Sequence, residues 1–114
     1  MPSKPDNKYA KLFHAFCAAM KLPKPEAEFK FHPVRKHRLD FAWPAYKLGL
    51  EVEGGVWTRG RHGRGSGIVK DMEKANLLAE LGWRLLRVTP NGLYTVDTKA
   101  SIQRALEWRT TEAE

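Results

Sequence analysis

The sequence predicts a three-layer α/β domain in which a short mixed sheet of about four strands is flanked by helices. Residues 38–53 hold two runs in which apolar and polar residues alternate, a pattern typical of paired strands with one apolar face. Residues 68–81 have helical spacing and lead into the apolar run WRLLRV. A strand, a helix and a further strand in this order indicate a right-handed crossover between parallel strands.

Length and charge set the class of protein. The chain has 114 residues, so residues 1–114 are expected to form a single domain, with a loose polar lead-in at residues 1–6. The formal net charge of +7 makes a polyanion the expected partner. Nucleic acid ranks before an anionic membrane because no long basic amphipathic helix is visible. A charge that only keeps the protein soluble is the alternative.

Cysteine content and hydropathy indicate the compartment. Cys17 is the single cysteine, which excludes an internal disulfide and argues against a structural zinc site. Its apolar neighbours in FHAFCAAM predict a small buried residue. The start MPSKPDNK lacks an apolar segment, and no run approaches membrane-spanning length. The sequence therefore predicts a cytoplasmic protein with no membrane partner.

The first third of the chain predicts a helix and a short strand. Residues 7–21 form the predicted helix, and the prolines that follow end it. Residues 28–32 (EFKFH) alternate as a half-buried strand does, and Pro33 ends that strand. The apolar residues at helical spacing are Tyr9, Leu12, Phe13, Phe16 and Met20.

Two strands and a tight turn form the predicted hairpin. Residues 38–43 and 48–53 are the strands, and the loop PAYK joins them with Pro in a favoured turn position. Only one register brings the apolar residues of both strands to the same face, because a slip by one residue reverses every side chain. That register pairs Trp43 with Leu48, Phe41 with Leu50 and Leu39 with Val52.

The second half predicts a crossover helix, a strand and a last helix. Residues 54–67 are rich in glycine and arginine and predict a mobile cationic loop. The helix at residues 68–81 precedes Gly82, a typical C-terminal cap, and the strand covers residues 83–88. After a turn at residues 90–92, Asp97 is the predicted cap of a helix that ends near Trp108. The apolar stripe of the crossover helix is Ile68, Met72, Ala75 and Ala79.

Three acids lie in strands that otherwise look like core. The hairpin register places Asp40 directly opposite Glu51, where like charges repel, and Glu53 follows ~7 Å along the same strand. Such a cluster is tolerated when a cation binds it. Carboxylate oxygens suit Mg²⁺, which completes its shell with water and substrate phosphate and serves phosphodiester hydrolysis.

An ion-paired sheet face is the alternative to a metal site. The same register places Arg38 opposite Glu53, so these two residues can form a plain salt bridge. Lys70 or Lys74 of the following helix can likewise neutralise Asp40 and Glu51. The spacing of these residues alone favours neither the metal site nor the ion-paired sheet face.

Two basic segments adjoin the acids in the chain. Both segments are expected to bind phosphates of a nucleic acid with an affinity that depends on salt. The alternative is that they form a solvated basic surface. Trp57 can stack on a base or close over the edge of the core. His62 is a weak candidate for a catalytic base, and a contact from His62 to a phosphate is at least as well supported. The candidate nucleic-acid-binding residues are Arg35, Lys36, His37, Arg38, Trp57, Arg59, Arg61, His62 and Arg64.

The order of these segments resembles a known superfamily. RLDFAWP, then KLGLEVEGGVW, then KDMEKANLLAELGWRLLRVTP carry the pattern D-x10-E-x-E and resemble PD-(D/E)XK nucleases, in particular the branch of very-short-patch-repair endonucleases. The resemblance covers residues 28–90, with four elements in order. It implies a restriction-endonuclease-like fold. Small phage-encoded nucleases look similar, so the resemblance implies a phage or prophage origin. A phage-encoded protein is expected in the cytoplasm of the host.

The resemblance implies roles for particular residues. Asp40 and Glu51 are the implied metal ligands. Glu53 stands where the superfamily usually has lysine, which implies a second metal or a water held between metal and acid. The missing lysine is then supplied by the following helix, with Lys74 preferred to Lys70. Many members add an acid from the first helix; that helix has none here, and Glu28 is the nearest substitute.

Taken together, these features predict a Mg²⁺-dependent DNA endonuclease in which Mn²⁺ substitutes. Branched or Holliday-junction DNA is the leading substrate, and a mismatch nick or general duplex cutting fits the same residues. Paired cuts at a junction would imply a homodimer. The alternative hypothesis is a nucleic-acid-binding module that has the nuclease fold but catalyses no reaction. A third is an RNA-directed nuclease or toxin.

Overall fold

In the computed structural model, which describes residues 6–54 and 66–112, one helix precedes three consecutive strands, and a helix, a fourth strand and a last helix follow. Side chains are described for residues 6–54 and 67–108. One-turn 3-10 helices follow the second and fourth strands, at Pro44–Tyr46 and Pro90–Gly92. The main elements are α1 (Ala10–Ala19), β1 (Glu26–Lys30), β2 (Arg38–Trp43), β3 (Leu48–Val52), α2 (Ser66–Glu80), β4 (Arg84–Val88) and α3 (Val96–Glu112).

The four strands form one mixed sheet in the order β1-β2-β3-β4. The first two neighbouring pairs are antiparallel, and β3 and β4 are parallel. Helix α2 connects the two parallel strands. The predicted mixed sheet and the predicted return to a parallel strand are therefore confirmed.

Two apolar clusters enclose the sheet and make the domain three-layered. The first core cluster joins α1 and α3 to one face of the sheet, and the second joins α2 to the other. Cys17 is fully buried in the first cluster, as its apolar neighbours predict. The first core cluster contains Phe13, Cys17, Leu22, Phe41, Trp43, Leu48, Leu50, Leu93, Ile102 and Leu106; the second contains Phe31, Leu39, Ala42 and Leu78.

The predicted hairpin register is confirmed near its turn, but the predicted common apolar face is wrong at its far end. Trp43 pairs with Leu48, and Phe41 pairs with Leu50. Leu39, expected on the same face as Phe41, lies instead in the second core cluster. The alternation of faces is therefore interrupted between Leu39 and Phe41.

The interruption coincides with Glu28 and Asp40. Glu28 has a left-handed backbone with φ 51°, and the pairs on either side of these two residues join Ala27 to Phe41 and Phe29 to Leu39. The first pair packs on the first core cluster and the second pair on the second core cluster. One residue outside the extended conformation is enough to reverse the side-chain direction of a strand, as a β-bulge does.

The predicted apolar stripe of α2 is wrong. Ile68 and Met72 are 45% and 59% exposed, whereas Leu78 is 3% exposed and packs on the sheet. Leu77 and Leu81 accompany Leu78. Leucines bury more apolar area than the two alanines of the predicted stripe, so this face gains more on packing.

The helix ends follow capping chemistry, with one correction. Gly82 has φ 80° and closes α2, with the Trp83 N–H donating to the Leu78 carbonyl at 2.9 Å. Asp97, predicted to cap the last helix, lies inside its first turn. The cap is Thr95, whose Oγ1 accepts from the Thr98 N–H at 3.2 Å, because the cap residue precedes the first helical residue.

Several predicted boundaries differ from the observed ones. Helix α1 is shorter than residues 7–21, β1 begins two residues before Glu28, and α3 continues past Trp108. Leu12, counted in the apolar stripe of α1, is 64% exposed. The predicted glycine-rich loop falls mainly on residues 55–65, which lie outside the described residues. Within the described ranges, no helix combines the length and apolar character needed to cross a membrane.

Candidate functional site

A row of charged residues crosses the sheet. Glu51 pairs with Arg87 in the parallel register. Asp40 precedes the residue that pairs with Leu50, so it lies beside Glu51. The β1 register brings Glu28 next to Asp40 in the same way. The row from β1 to β4 is therefore Glu28, Asp40, Glu51 and Arg87.

Asp40 and Glu51 are linked through each other's strand. The Asp40 N–H donates to Glu51 Oε2 at 3.3 Å, and the Val52 N–H donates to Asp40 Oδ2 at 2.8 Å. The sequence prediction that these two acids are neighbours is confirmed. Each carboxylate is held by a backbone N–H of the opposite strand, so the two side chains have fixed positions in the sheet.

Lys74 reaches the acids from α2. Its Nζ lies 2.8 Å from Glu51 Oε2, and the two side chains are 19% and 16% exposed. Burial raises the pKa of Glu51 above its ordinary 4.5, the Lys74 ammonium opposes this rise, and the Asp40 charge adds to it. The ion-paired alternative is thus realised for Glu51, and Lys74 rather than Lys70 supplies the charge.

Glu28 joins the acids through Asn7. Asn7 Nδ2 donates to Glu28 Oε2 and to the Asp40 carbonyl, both at 3.0 Å. Burial raises the pKa of Glu28, and the Asp40 charge raises it further, against the opposing effects of Asn7, Arg38 and Lys74. Asn7 was missed by the sequence reasoning, since an Asn before a helix signals only a helix start.

Glu53 forms an ion pair with Arg87 of β4, unlike Glu51, which pairs with Lys74 of α2. Its Oε2 accepts from Arg87 Nε at 3.1 Å and lies 2.9 Å from Arg87 Nη2. The alternative salt bridge between Arg38 and Glu53 is not seen among the described residues; Arg38 Nη1 instead donates to the Glu28 carbonyl at 3.0 Å. Arg87 was missed because its place beside Glu53 depends on the parallel register of two strands far apart in sequence.

The acids provide oxygen ligands of the kind Mg²⁺ prefers. Across the part of the chain that the structure describes, no three His, Cys, Asp or Glu side chains form a group that could hold a metal ion. Mg²⁺ needs fewer protein ligands than that, because it commonly binds one or two carboxylates and takes its remaining ligands from water and phosphate. Asp40 and Glu51 are two neighbouring carboxylates of the row, linked through backbone hydrogen bonds.

A small space lies beside the ion pair of Glu51 and Lys74. Its volume is about 20 Å³, which is enough for one water molecule. Charged groups of both signs surround it, so a water or an oxygen of a ligand would find donors and acceptors there. The lining residues are Glu51, Asp71, Lys74, Ala75, Leu78, Leu85 and Arg87.

Two of the predicted basic residues are held by an acid of α2. Arg35 Nη2 and His37 Nε2 each lie 2.7 Å from a carboxylate oxygen of Glu73. The hydrogen bonds from His37 and Arg35 lower the pKa of Glu73. Lys36 and Lys70 line the same pocket of about 550 Å³. Glu73 was missed, since nothing in its local sequence distinguishes it from other helix surface acids.

The remaining predicted contacts lie outside the described residues: Trp57, Arg59, Arg61, His62 and Arg64.

Comparisons with family models, with curated proteins and with solved structures found no match to this chain.

Proposed function

We propose that this protein is a metal-dependent DNA endonuclease with a restriction-endonuclease-like fold. The observation that carries the proposal is the approach of Lys74 to Glu51 beside Asp40. Two adjacent carboxylates of the sheet and an ammonium from α2 form a set of groups suited to phosphodiester hydrolysis. The D-x10-E-x-E spacing of the sequence supports the same class of enzyme.

Asp40 and Glu51 are the proposed Mg²⁺ ligands, and Mn²⁺ is expected to substitute. The bound metal would polarise the phosphoryl group and lower the pKa of the attacking water. Glu28 adds a third carboxylate near Asp40; burial raises its pKa most, and repulsion by the Asp40 charge raises the pKa further. A divalent cation would relieve this repulsion among the acids.

Lys74 has the proposed role of stabilising charge. When water adds to phosphorus and one bridging P–O ester bond breaks, negative charge grows on the phosphoryl and leaving oxygens. An ammonium held beside the metal ligands lowers the energy of that state. Glu53, paired with Arg87, supports the site from the side and is the weaker candidate for a metal ligand.

Backbone strain at Glu28 also supports a functional site. A left-handed conformation at a residue other than glycine costs of order 1–3 kcal/mol, and such residues concentrate at active sites. Glu28 has φ 51° and lies next to Asp40. The surrounding strands and Asn7 hold this conformation in place.

DNA is the proposed substrate because the chain is strongly basic around the acids. Its formal net charge is +7, and Lys36 and Lys70 lie in the pocket next to the site. Branched DNA remains the leading substrate, with mismatched and plain duplexes as the next candidates. A homodimer would be needed for paired cuts at a junction.

The test is a cleavage assay on labelled duplex, single-stranded, mismatched and four-way-junction DNA. Each substrate is incubated with Mg²⁺, with Mn²⁺ and with EDTA. Cutting is expected with either metal, and the Asp40→Asn, Glu51→Gln double variant should lose it. Glu26→Gln is the control, since Glu26 is an exposed acid of β1 outside the row. Metal-independent cutting, or equal cutting by the double variant, would reject the proposed site.

A non-catalytic DNA-binding module is the second candidate. Its support is that Glu51 and Glu53 already have cationic partners in Lys74 and Arg87. This candidate is expected to bind DNA equally in Mg²⁺ and in EDTA and to cut none of the four substrates. An RNA-directed nuclease would instead cut RNA strands faster than DNA strands in the same assay.

A further inference from the structure

A pocket between residues 33–37 and helix α2 is a second charged site of the molecule. It has a volume of about 550 Å³. Among its described lining residues, Arg35, Lys36 and Lys70 carry three permanent positive charges, and Glu73 carries the one carboxylate. The pocket therefore favours an anionic ligand. Its lining residues are Val34, Arg35, Lys36, His37, Lys70 and Glu73.

Glu73 holds the cationic side of this pocket in place. One carboxylate oxygen lies 2.7 Å from Arg35 Nη2, and the other lies 2.7 Å from His37 Nε2. A guanidinium carries five N–H donors, so Arg35 keeps donors for a further acceptor while it contacts Glu73. The acid thus orients the guanidinium without using all of its hydrogen-bonding capacity.

The backbone before His37 is also organised. His32 Nδ1 accepts from the Val34 N–H at 3.1 Å and from the Arg35 N–H at 3.0 Å. The turn therefore presents Arg35 in a defined place, and Glu73 fixes the end of its side chain. A preorganised donor loses less conformational entropy when it binds a ligand.

The pocket adjoins the acidic site through two elements. Lys70 precedes Lys74 by one turn of α2, about 6 Å along the helix axis. His37 lies just before β2, the strand that carries Asp40. The pocket and the acidic row therefore share helix α2 and the start of β2, so one extended polyanion can lie along both.

We propose that this pocket binds a backbone phosphate of a nucleic acid that lies against the acidic row, and that Glu73 is its positioning residue. The inference rests on the proposed function only for the nature of the ligand, a phosphodiester chain. It does not require that the protein cuts that chain.

Removal of Glu73 changes DNA affinity in opposite directions, depending on whether its charge or its positioning of Arg35 dominates. A carboxylate in a phosphate site repels the ligand, so its removal alone should tighten binding. If Glu73 positions Arg35, its removal should weaken binding, because the guanidinium then loses its orientation. Glu73→Ala and Glu73→Gln separate the two effects, since glutamine removes the charge but keeps an acceptor of the same shape.

The experiment measures binding of labelled duplex DNA in EDTA, across a salt titration. Glu73→Ala and Arg35→Ala are each expected to weaken binding about fivefold and to lower the salt slope by about one. The double variant should bind no more weakly than Arg35→Ala, because both changes remove the same contact. Glu73→Gln should restore most of the affinity. Glu80→Ala, which removes an exposed acid from the same helix, should not weaken binding.

Tighter or unchanged binding by Glu73→Ala, with its thermal unfolding unaltered, would overturn the proposal. Additive losses in the double variant would overturn it as well, since Glu73 would then act apart from Arg35. Binding of single-stranded DNA and of duplex RNA is measured in the same way, and the comparison shows which kind of nucleic acid supplies the phosphate. If no substrate is cut but the expected binding losses are seen, the proposed enzyme fails and this inference stands. Normal cutting with no binding loss rejects this inference alone.

Discussion

Lys74 of α2 donates to Glu51 of β3 across the interface between helix and sheet, with 2.8 Å between Nζ and Oε2. The two residues are 23 positions apart, and both side chains are largely buried. A buried ion pair is weak evidence of stability, because desolvation cancels much of the attraction. Asp40 lies beside this pair, so the three residues form the centre of the proposed catalytic site.

Lys74 is expected to be essential for cutting, and Lys70 is not. Lys74→Met should lower the rate of Mg²⁺-dependent cleavage about a hundredfold, because the developing charge loses its ammonium. The measurement is a single-turnover rate at saturating DNA. Lys70→Met, one helical turn away, should weaken binding and leave that rate unchanged. The reverse result would assign the catalytic lysine to Lys70.

Glu51 and Glu53 are expected to differ in importance. Glu51→Gln should abolish metal-dependent cutting, whereas Glu53→Gln should reduce it less than about tenfold, because Glu53 is paired with Arg87 beside the acids. Rates at increasing Mg²⁺ concentration test this. An equal loss in both variants would show that Glu53 is a metal ligand, as its place in the sequence pattern implies.

Asn7 is expected to stabilise the acidic row. Asn7→Asp replaces a donor to Glu28 and to the Asp40 carbonyl with a further carboxylate, so unfolding should become easier by about 1–3 kcal/mol. Urea unfolding at neutral pH measures the change. Asn91→Asp, in the exposed turn Pro90–Gly92, is the matched control and should have little effect. Equal stability of both variants would contradict the bridging role.

Gly49 is expected to tolerate no side chain. A Cβ at this position would lie 2.7 Å from Leu39 Cδ1, and Leu39 is fully buried. Gly49→Ala should therefore destabilise the protein by about 1–3 kcal/mol through overpacking. Gly67→Ala is the control, because Gly67 has open space in α2 and alanine favours a helix. A Gly49→Ala protein as stable as the parent in urea would mean that Leu39 moves aside freely.

Cys17 is expected to be unreactive in the folded protein. Burial raises the pKa of its thiol from 9.0 to about 12. Because the unfolded thiol ionises first, its contribution to stability is complete below pH 9.0 and is lost as pH rises toward 12. The loss is at most about 1.4 kcal/mol per pH unit.

Two measurements test the behaviour of Cys17. Thiol labelling should be slow in the native protein and fast in urea. The stability of the parent relative to Cys17→Ala should fall above pH 9.0. A constant difference between the two proteins across this range would show that the thiol is not shielded by burial.

The sequence by itself determined the local architecture. The apolar alternation around PAYK defines the hairpin register at Trp43 and Leu48, because a slip would turn the apolar side chains to the wrong face. Gly82 marks the end of α2, since a left-handed cap favours glycine. The neighbouring positions of Asp40 and Glu51 follow from the same register. These features depend on interactions between residues close in sequence.

Only the tertiary structure decided which side chains meet across elements. The face of α2 that packs, and hence the contact of Lys74 with Glu51, depends on how three leucines fit the sheet. The reversal at Glu28 and Asp40 moved Leu39 to the other core cluster, which strict alternation does not anticipate. The pairing of Glu53 with Arg87 needs the parallel register. Each is set by long-range packing, because local spacing permits more than one partner.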